Sequence, residues 1–169
     1  GNHMNEENLT PVLRAAADGH LDDLKSLLES GESIDNPNEE GWTALMLAAD
    51  QGHLEVVQWL LDHDADVSQR NEDGATPLSR AAAGGYVEVA ELLVDHGADL
   101  NAPDRYGETP LQRAVKAGHQ AFAEWLVENG ADVNVPDEDG IFPLFVAAQS
   151  GQLDFVKWLA AKGADVRAQ

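Results

Sequence analysis

The chain of 169 residues has no cysteine. That absence removes disulfide frameworks, cysteine-based zinc sites and thiol nucleophiles. Positive charge is scarce: 10 Lys and Arg stand against 31 Asp and Glu, giving a net charge of −21 and a pI near 4.3. Such a chain repels phosphate backbones and anionic membrane surfaces, so no nucleic-acid or membrane partner is expected. No segment approaches the ~18 consecutive apolar residues of a transmembrane helix. The residues after Met4, Asn5-Glu6-Glu7-Asn8, lack the basic-then-apolar layout of a secretory signal. A cytoplasmic location is the expectation, although a chain with a trimmed signal would read the same way.

Against these deficits stands a hydrophobic content of 43%, which argues for a packed core over acidic disorder. Residues 1–4, Gly-Asn-His-Met, read as a cleavage scar ending in a start methionine. The 165 residues after Met4 are five times 33, a repeat length in its own right. Gly41, Gly74, Gly107 and Gly140 are 33 apart, and so are Gly19, Gly52, Gly85, Gly118 and Gly151. A third series, Gly31, Gly97, Gly130 and Gly163, admits Asp64 once, a residue that tolerates the left-handed region. Leu27, Leu60, Leu93, Leu126 and Leu159 keep the same beat, as do Ala15, Ala48, Ala81, Ala114 and Ala147. One domain over 5–169 results, in units 5–37, 38–70, 71–103, 104–136 and 137–169.

Each unit reads as two short helices and a turn. In the third, Thr76 is an N-cap and Pro77 a first helical residue, where a missing N–H costs nothing. A first helix runs to Gly84-Gly85, and a second from Tyr86 to about His96 places Val89, Leu92, Leu93 and Val94 inward. Gly97 supplies a left-handed end, and Gly107 permits positive φ at the following turn. Helices this short are marginal in isolation, so each unit must bury a face against its neighbours. The alanine columns permit the close approach that stacking needs, and the product is an all-α solenoid.

The segments Gly74-Ala75-Thr76-Pro77-Leu78, Gly107-Glu108-Thr109-Pro110-Leu111 and Gly97-Ala98-Asp99-Leu100-Asn101 resemble the ankyrin repeat. The resemblance covers residues 5–169 and implies stacked helix-turn-helix units joined by short β-hairpin-like turns. The family's usual His after Thr-Pro-Leu is replaced by Leu13, Met46, Ser79, Gln112 and Phe145, which is expected to remove a hydrogen-bonding side chain from every unit. The divergent first unit, with Asn8-Leu9-Thr10-Pro11-Val12, suits an N-terminal cap. The last has Phe142 in place of the capping Thr and Ala160-Ala161 in its second helix; it fits a C-terminal cap or the edge of a longer array.

Candidate chemistry is thin. Acidic pairs at Glu39-Glu40, Glu72-Asp73 and Asp137-Glu138-Asp139 fall at turn tips and read as solvated turn residues. Asp137-x-Asp139-Gly140 starts like a calcium loop, but its glycine comes too early and Ala148 stands where a bidentate Glu is required. His20, His53 and His119 recur at one position, but stacked units hold equivalent positions too far apart for a shared metal, and the family commonly has His there structurally. Trp59, Trp125 and Trp158, with Leu92 filling the third unit, read as a packing column along the second helices. No nucleophile–base pair or phosphate-binding glycine pattern is present, and no insertion breaks the frame to carry a catalytic site. No enzyme, cofactor or metal is expected.

One column is more suggestive. Arg14, Arg80 and Arg113 share a first-helix position with Leu47 and Val146. The resemblance implies that this face lines a concave groove with the turn tips, where Trp42, Tyr106 and Ile141 lie. Large apolar side chains at exposed tips have no evident core role, and Trp, Tyr and Arg anchor interfaces. The competing reading of the arginines is pairing with carboxylates such as Asp50 or Glu108. The expected function is a non-catalytic protein-binding module, expected to be monomeric. Its groove would centre on Trp42, Met46, Arg80, Tyr106, Arg113, Ile141 and Phe145, with an acidic rim that steers a basic partner. The alternative is an acidic inhibitor or immunity-type protein that blocks a basic partner enzyme.

Overall fold

The computed structural model describes residues 9–164. Residues 1–4, read above as a scar and start methionine, lie outside it, as do the outer ends of the first and last units.

Among the described residues ten helices alternate in chain order: α1 (Pro11–Asp18), α2 (Leu21–Glu29), α3 (Ala44–Gln51), α4 (Leu54–Asp62), α5 (Pro77–Gly84), α6 (Val87–Asp95), α7 (Pro110–Ala117), α8 (Gln120–Glu128), α9 (Pro143–Gln149) and α10 (Leu153–Ala161). They form five pairs. Local chemistry sets the start of the first helix in four of them. Thr10, Thr43, Thr76 and Thr109 are extended residues whose side chains accept a hydrogen bond from the amide three residues on. Those helices close at Gly19, Gly52, Gly85 and Gly118, all left-handed. Asp64 adopts φ 67° and is the one non-glycine with positive φ among the described residues, as its place in the glycine series requires.

Phe142 makes no side-chain cap to α9, which spans 7 residues where the other first helices span 8. The missing hydroxyl leaves that end without its side-chain acceptor.

The core is one continuous cluster running the length of the stack. Ala48, Ala81, Ala114 and Ala147 are fully buried, and so are Leu60, Leu93, Leu126 and Leu159. The first helices approach one another more closely than the second helices do. That difference follows from small residues on one side of each pair and large ones on the other. Trp59, Trp125 and Trp158 pack against the core from the second-helix side, as a packing column should. Trp59 also stacks on His63 at 4.0 Å between ring centroids.

The turns between pairs are hairpin-like in their hydrogen bonds but form no strand among the described residues. Each is closed by a backbone bond, Asn38 N–H to Trp42 O, Asn71 to Ala75, Asp104 to Glu108 and Asp137 to Ile141, and by a second from the tip glycine back to the same residue's carbonyl. The Oδ1 atoms of those same four residues each accept two further loop amides. Adjacent tips are then stitched together by Glu72 N–H to Glu40 O, Arg105 to Asp73 and Glu138 to Tyr106, at 2.9 to 3.0 Å. Gly107 shows why a glycine sits at the tip. Its φ is 78°, and a Cβ there would lie 2.7 Å from the Glu138 nitrogen that makes the stitch.

Two members of the histidine column, His53 and His119, brace neighbouring units. The imidazole Nε2 of His53 lies 2.9 Å from Ala17 O, and that of His119 lies 3.2 Å from Ala83 O, each reaching the carboxyl end of the preceding unit's first helix. The described residues contain no group of His, Asp and Glu able to hold a metal ion. None of their helices is long and apolar enough to cross a membrane.

Candidate functional site: a charged cavity on the first-helix face

The turn tips and first helices of the middle units enclose a cavity of about 270 Å³ lined by Trp42, Asn71, Asp73, Ala75, Arg80, Tyr106, Glu108 and Arg113. Four of the seven residues singled out from the sequence, Trp42, Arg80, Tyr106 and Arg113, therefore converge on one space. Ile141 and Phe145 belong to the last unit and do not line it.

Met46 is a correction. It is completely buried, so it packs between units and presents nothing to a partner. Trp42 is a partial one. Expected as an exposed tip with no core role, it is 6% exposed and belongs to the core cluster. It is covered because Arg80 from the next unit lies over its ring, with the guanidinium carbon 5.4 Å from the centroid. Tyr106 does stand out, at 43% exposed, with Arg105 5.3 Å above its ring. Phe145 is 36% exposed and Ile141 half-buried.

The repeat position after Thr-Pro-Leu also departs from expectation. Hydrogen bonding is not lost from every unit. The Ser79 hydroxyl accepts the Thr76 amide and donates to the Thr76 carbonyl, while Thr76 Oγ1 accepts the Ser79 amide, closing a reciprocal cap. Gln112, fully buried, donates through Nε2 to Ile141 O of the next unit. The loss is real at Leu13, Met46 and Phe145, which carry no polar group.

Arg80 and Arg113 of the arginine column pair internally, and their partners include Asp50 and Glu108, the carboxylates weighed from the sequence. Arg80 Nε and Nη2 approach Asp50 Oδ1 at 2.8 and 2.6 Å. Arg113 Nη2 lies 3.0 Å from Asp104 Oδ2 and 3.2 Å from Glu108 Oε1, and Lys116 pairs with the same Glu108. Arg105 reaches Asp73 at 3.9 Å. In the Arg113 cluster the carboxylates lie underneath, with side chains 4% exposed at Asp104 and 8% at Glu108. The cations lie outside, at 28% for Arg113 and 44% for Lys116. Sequence reasoning missed Asp104, Glu72's neighbour Asp73 and Lys116. Asp104 reads locally as a turn residue, and its second oxygen meets Arg113 only when α7 folds back on the turn.

Pairing does not consume the guanidiniums. Arg113 makes both ion pairs through Nη2, and Arg80 bonds through one edge. Each has five N–H donors in a rigid fork. The site is thus a preformed cavity with hydrogen-bond donors and one exposed aromatic, a set suited to binding.

A family model for ankyrin repeats, described as three copies, matches residues 1–71, 65–137 and 104–169. A search of curated proteins finds no match. Ankyrin repeats are protein–protein interaction modules. With matches that together span the chain, a stack of capped helix pairs and hydrogen-bonded tips in the register its glycines demand, this protein belongs to the ankyrin-repeat family.

Proposed function

We propose that the protein binds a protein partner through the first-helix face and turn tips, centred on the cavity between Trp42, Arg80, Tyr106 and Arg113, and that the partner's surface is basic. The observation that carries this reading is the cavity itself. Its walls are held by ion pairs and by stitched turns, so little ordering is needed on binding. Tyr106 supplies an exposed aromatic anchor beside them. The net charge of −21 favours a basic partner and fast, salt-sensitive association. The internal pairing of Asp50, Asp104 and Glu108 makes them architecture, and leaves the exposed tip acids Glu39, Glu72, Glu138 and Asp139 to do the steering.

Capture from the source lysate at low and high salt, with mass-spectrometric identification, supplies the partner, and titration of the purified pair then tests the face. Tyr106→Ala should weaken binding by roughly tenfold or more, the loss of about 1.4 kcal/mol expected for an interface anchor. Leu153→Ala, on the second helix of the last pair, outside the cavity lining and 69% exposed, should leave affinity unchanged. Equal affinity for Tyr106→Ala and the unaltered protein would rule out this face.

A further inference from the structure

The cavity sits where the protein's negative charge is locally offset. Four of the chain's ten lysines and arginines, Arg80, Arg105, Arg113 and Lys116, cluster here against Asp50, Asp73, Asp104 and Glu108. Four cations against four carboxylates make the patch neutral within a chain of −21. Its outward layer is cationic at Arg113 and Lys116, which lie over the more covered Asp104 and Glu108, while Arg80 and Asp50 are covered almost equally. Around it the tips carry exposed acids: Glu39, Glu72, Glu138 and Asp139.

A uniformly basic segment would meet the tips well and the cavity badly. Its lysine or arginine would face two guanidiniums whose own carboxylates are already engaged from below. A uniformly acidic segment would be repelled before it arrived. The arrangement fits a segment that alternates. We propose that the cavity receives a carboxylate carried by an otherwise basic partner segment. The anion takes the unengaged donors of Arg80 and Arg113, and flanking lysines or arginines lie over the acidic tips. Two parallel N–H donors from a guanidinium match a carboxylate's two oxygens, so the site can read this group and not merely attract it. The proposal rests on the groove reading above and adds the chemistry of the occupant.

The test uses two peptides, acetyl-Lys-Lys-Glu-Lys-Lys-amide and the same peptide with Gln for Glu, titrated into isotopically labelled protein at low salt. The arginine Nε–H signals and the Gly107 and Ala75 amides are followed by NMR. The Glu peptide should bind about fivefold or more tightly than the Gln peptide, the discrimination of one partly exposed ion pair. It alone should shift the Nε–H signals of Arg80 and Arg113. In Arg113→Gln, which keeps a neutral donor beside Asp104 and Glu108, the preference should vanish while the fold, read from the amide spectrum, persists. If Arg113→Gln loses the native spectrum, Tyr106→Phe and the Arg80 signal in the unaltered protein carry the comparison. Equal affinities with shifts in the groove would overturn the carboxylate proposal and leave the groove reading standing. Shifts confined to other surfaces, or none with either peptide, would overturn both.

Discussion

Arg80 and Asp50 lock two neighbouring units together from facing first helices. Nε and Nη2 of the arginine converge on a single carboxylate oxygen at 2.8 and 2.6 Å, with both side chains less than one-fifth exposed. The same guanidinium lies over Trp42, so one residue both ties α5 to α3 and roofs the preceding turn. Asp50→Ala should strand a largely covered cation and cost about 1–2 kcal/mol. A double-mutant cycle with Arg80→Ala, measured by urea unfolding, should return a coupling of about 1 kcal/mol. Additive losses would show that the pair contributes nothing to the joint between units.

Gly52 and Gly118 allow a controlled comparison, because their φ values are 74° and 79°. A Cβ at Gly118 meets nothing within 4 Å, while one at Gly52 would lie 2.6 Å from the Tyr86 ring. Alanine at either position should carry the left-handed strain of roughly 1 kcal/mol. Gly52→Ala should cost more than Gly118→Ala, and Tyr86→Ala should abolish that difference. Thermal melts of the two glycine variants, each with and without Tyr86→Ala, measure it, and identical melting points for Gly52→Ala and Gly118→Ala would refute the clash.

Phe142→Thr should stabilise the last pair. Phe142 makes no cap and is not among the side chains packed against the core cluster, though its half-buried ring gives up some cover on substitution, which offsets part of the gain. A restored hydroxyl acceptor contributes about 1 kcal/mol. Slower amide exchange in α9, with the other helices unchanged, is the expected readout.

Arg113→Glu, an obvious test of the groove from the sequence, is a poor one in the structure. It would place a third carboxylate against Asp104 and Glu108, both nearly covered. We expect it to destabilise the fourth unit by about 2 kcal/mol or more, read as a lower urea midpoint. A variant as stable as the parent would show that the cluster tolerates reversal.

Asp66 titrates below its ordinary value of 3.8 because the Ser68 hydroxyl and amide both donate to its carboxylate, at 2.6 and 2.8 Å. A lowered folded pKa means that this stabilisation is complete above the unfolded value and is lost as pH falls through the folded one. Ser68→Ala should raise the Asp66 pKa toward 3.8, seen in its carboxyl carbon shift, and should flatten the acid limb of stability slightly. No movement of the Asp66 titration would refute the cause.

What could be read from the sequence is what a few neighbouring residues decide. A threonine cap reaches an amide three residues away, and a left-handed glycine ends a helix by itself. A 33-residue period in such signals therefore dictated the helix pairs, their order and their need to stack. The arginine column was visible too, together with both of its possible fates. That Arg80 and Arg113 pair with carboxylates, and what each periodic position became, was decided only when units met. Leu13, Met46, Ser79 and Gln112 are buried, yet Phe145 at the same repeat position is 36% exposed. Cover there comes from the following first helix, and α9 is followed by none among the described residues. Trp42 vanished under Arg80, and Asp104 met Arg113, through contacts between residues of different elements that no local pattern encodes. Recognition residues are legible as a column; their exposure and pairing are properties of the stack.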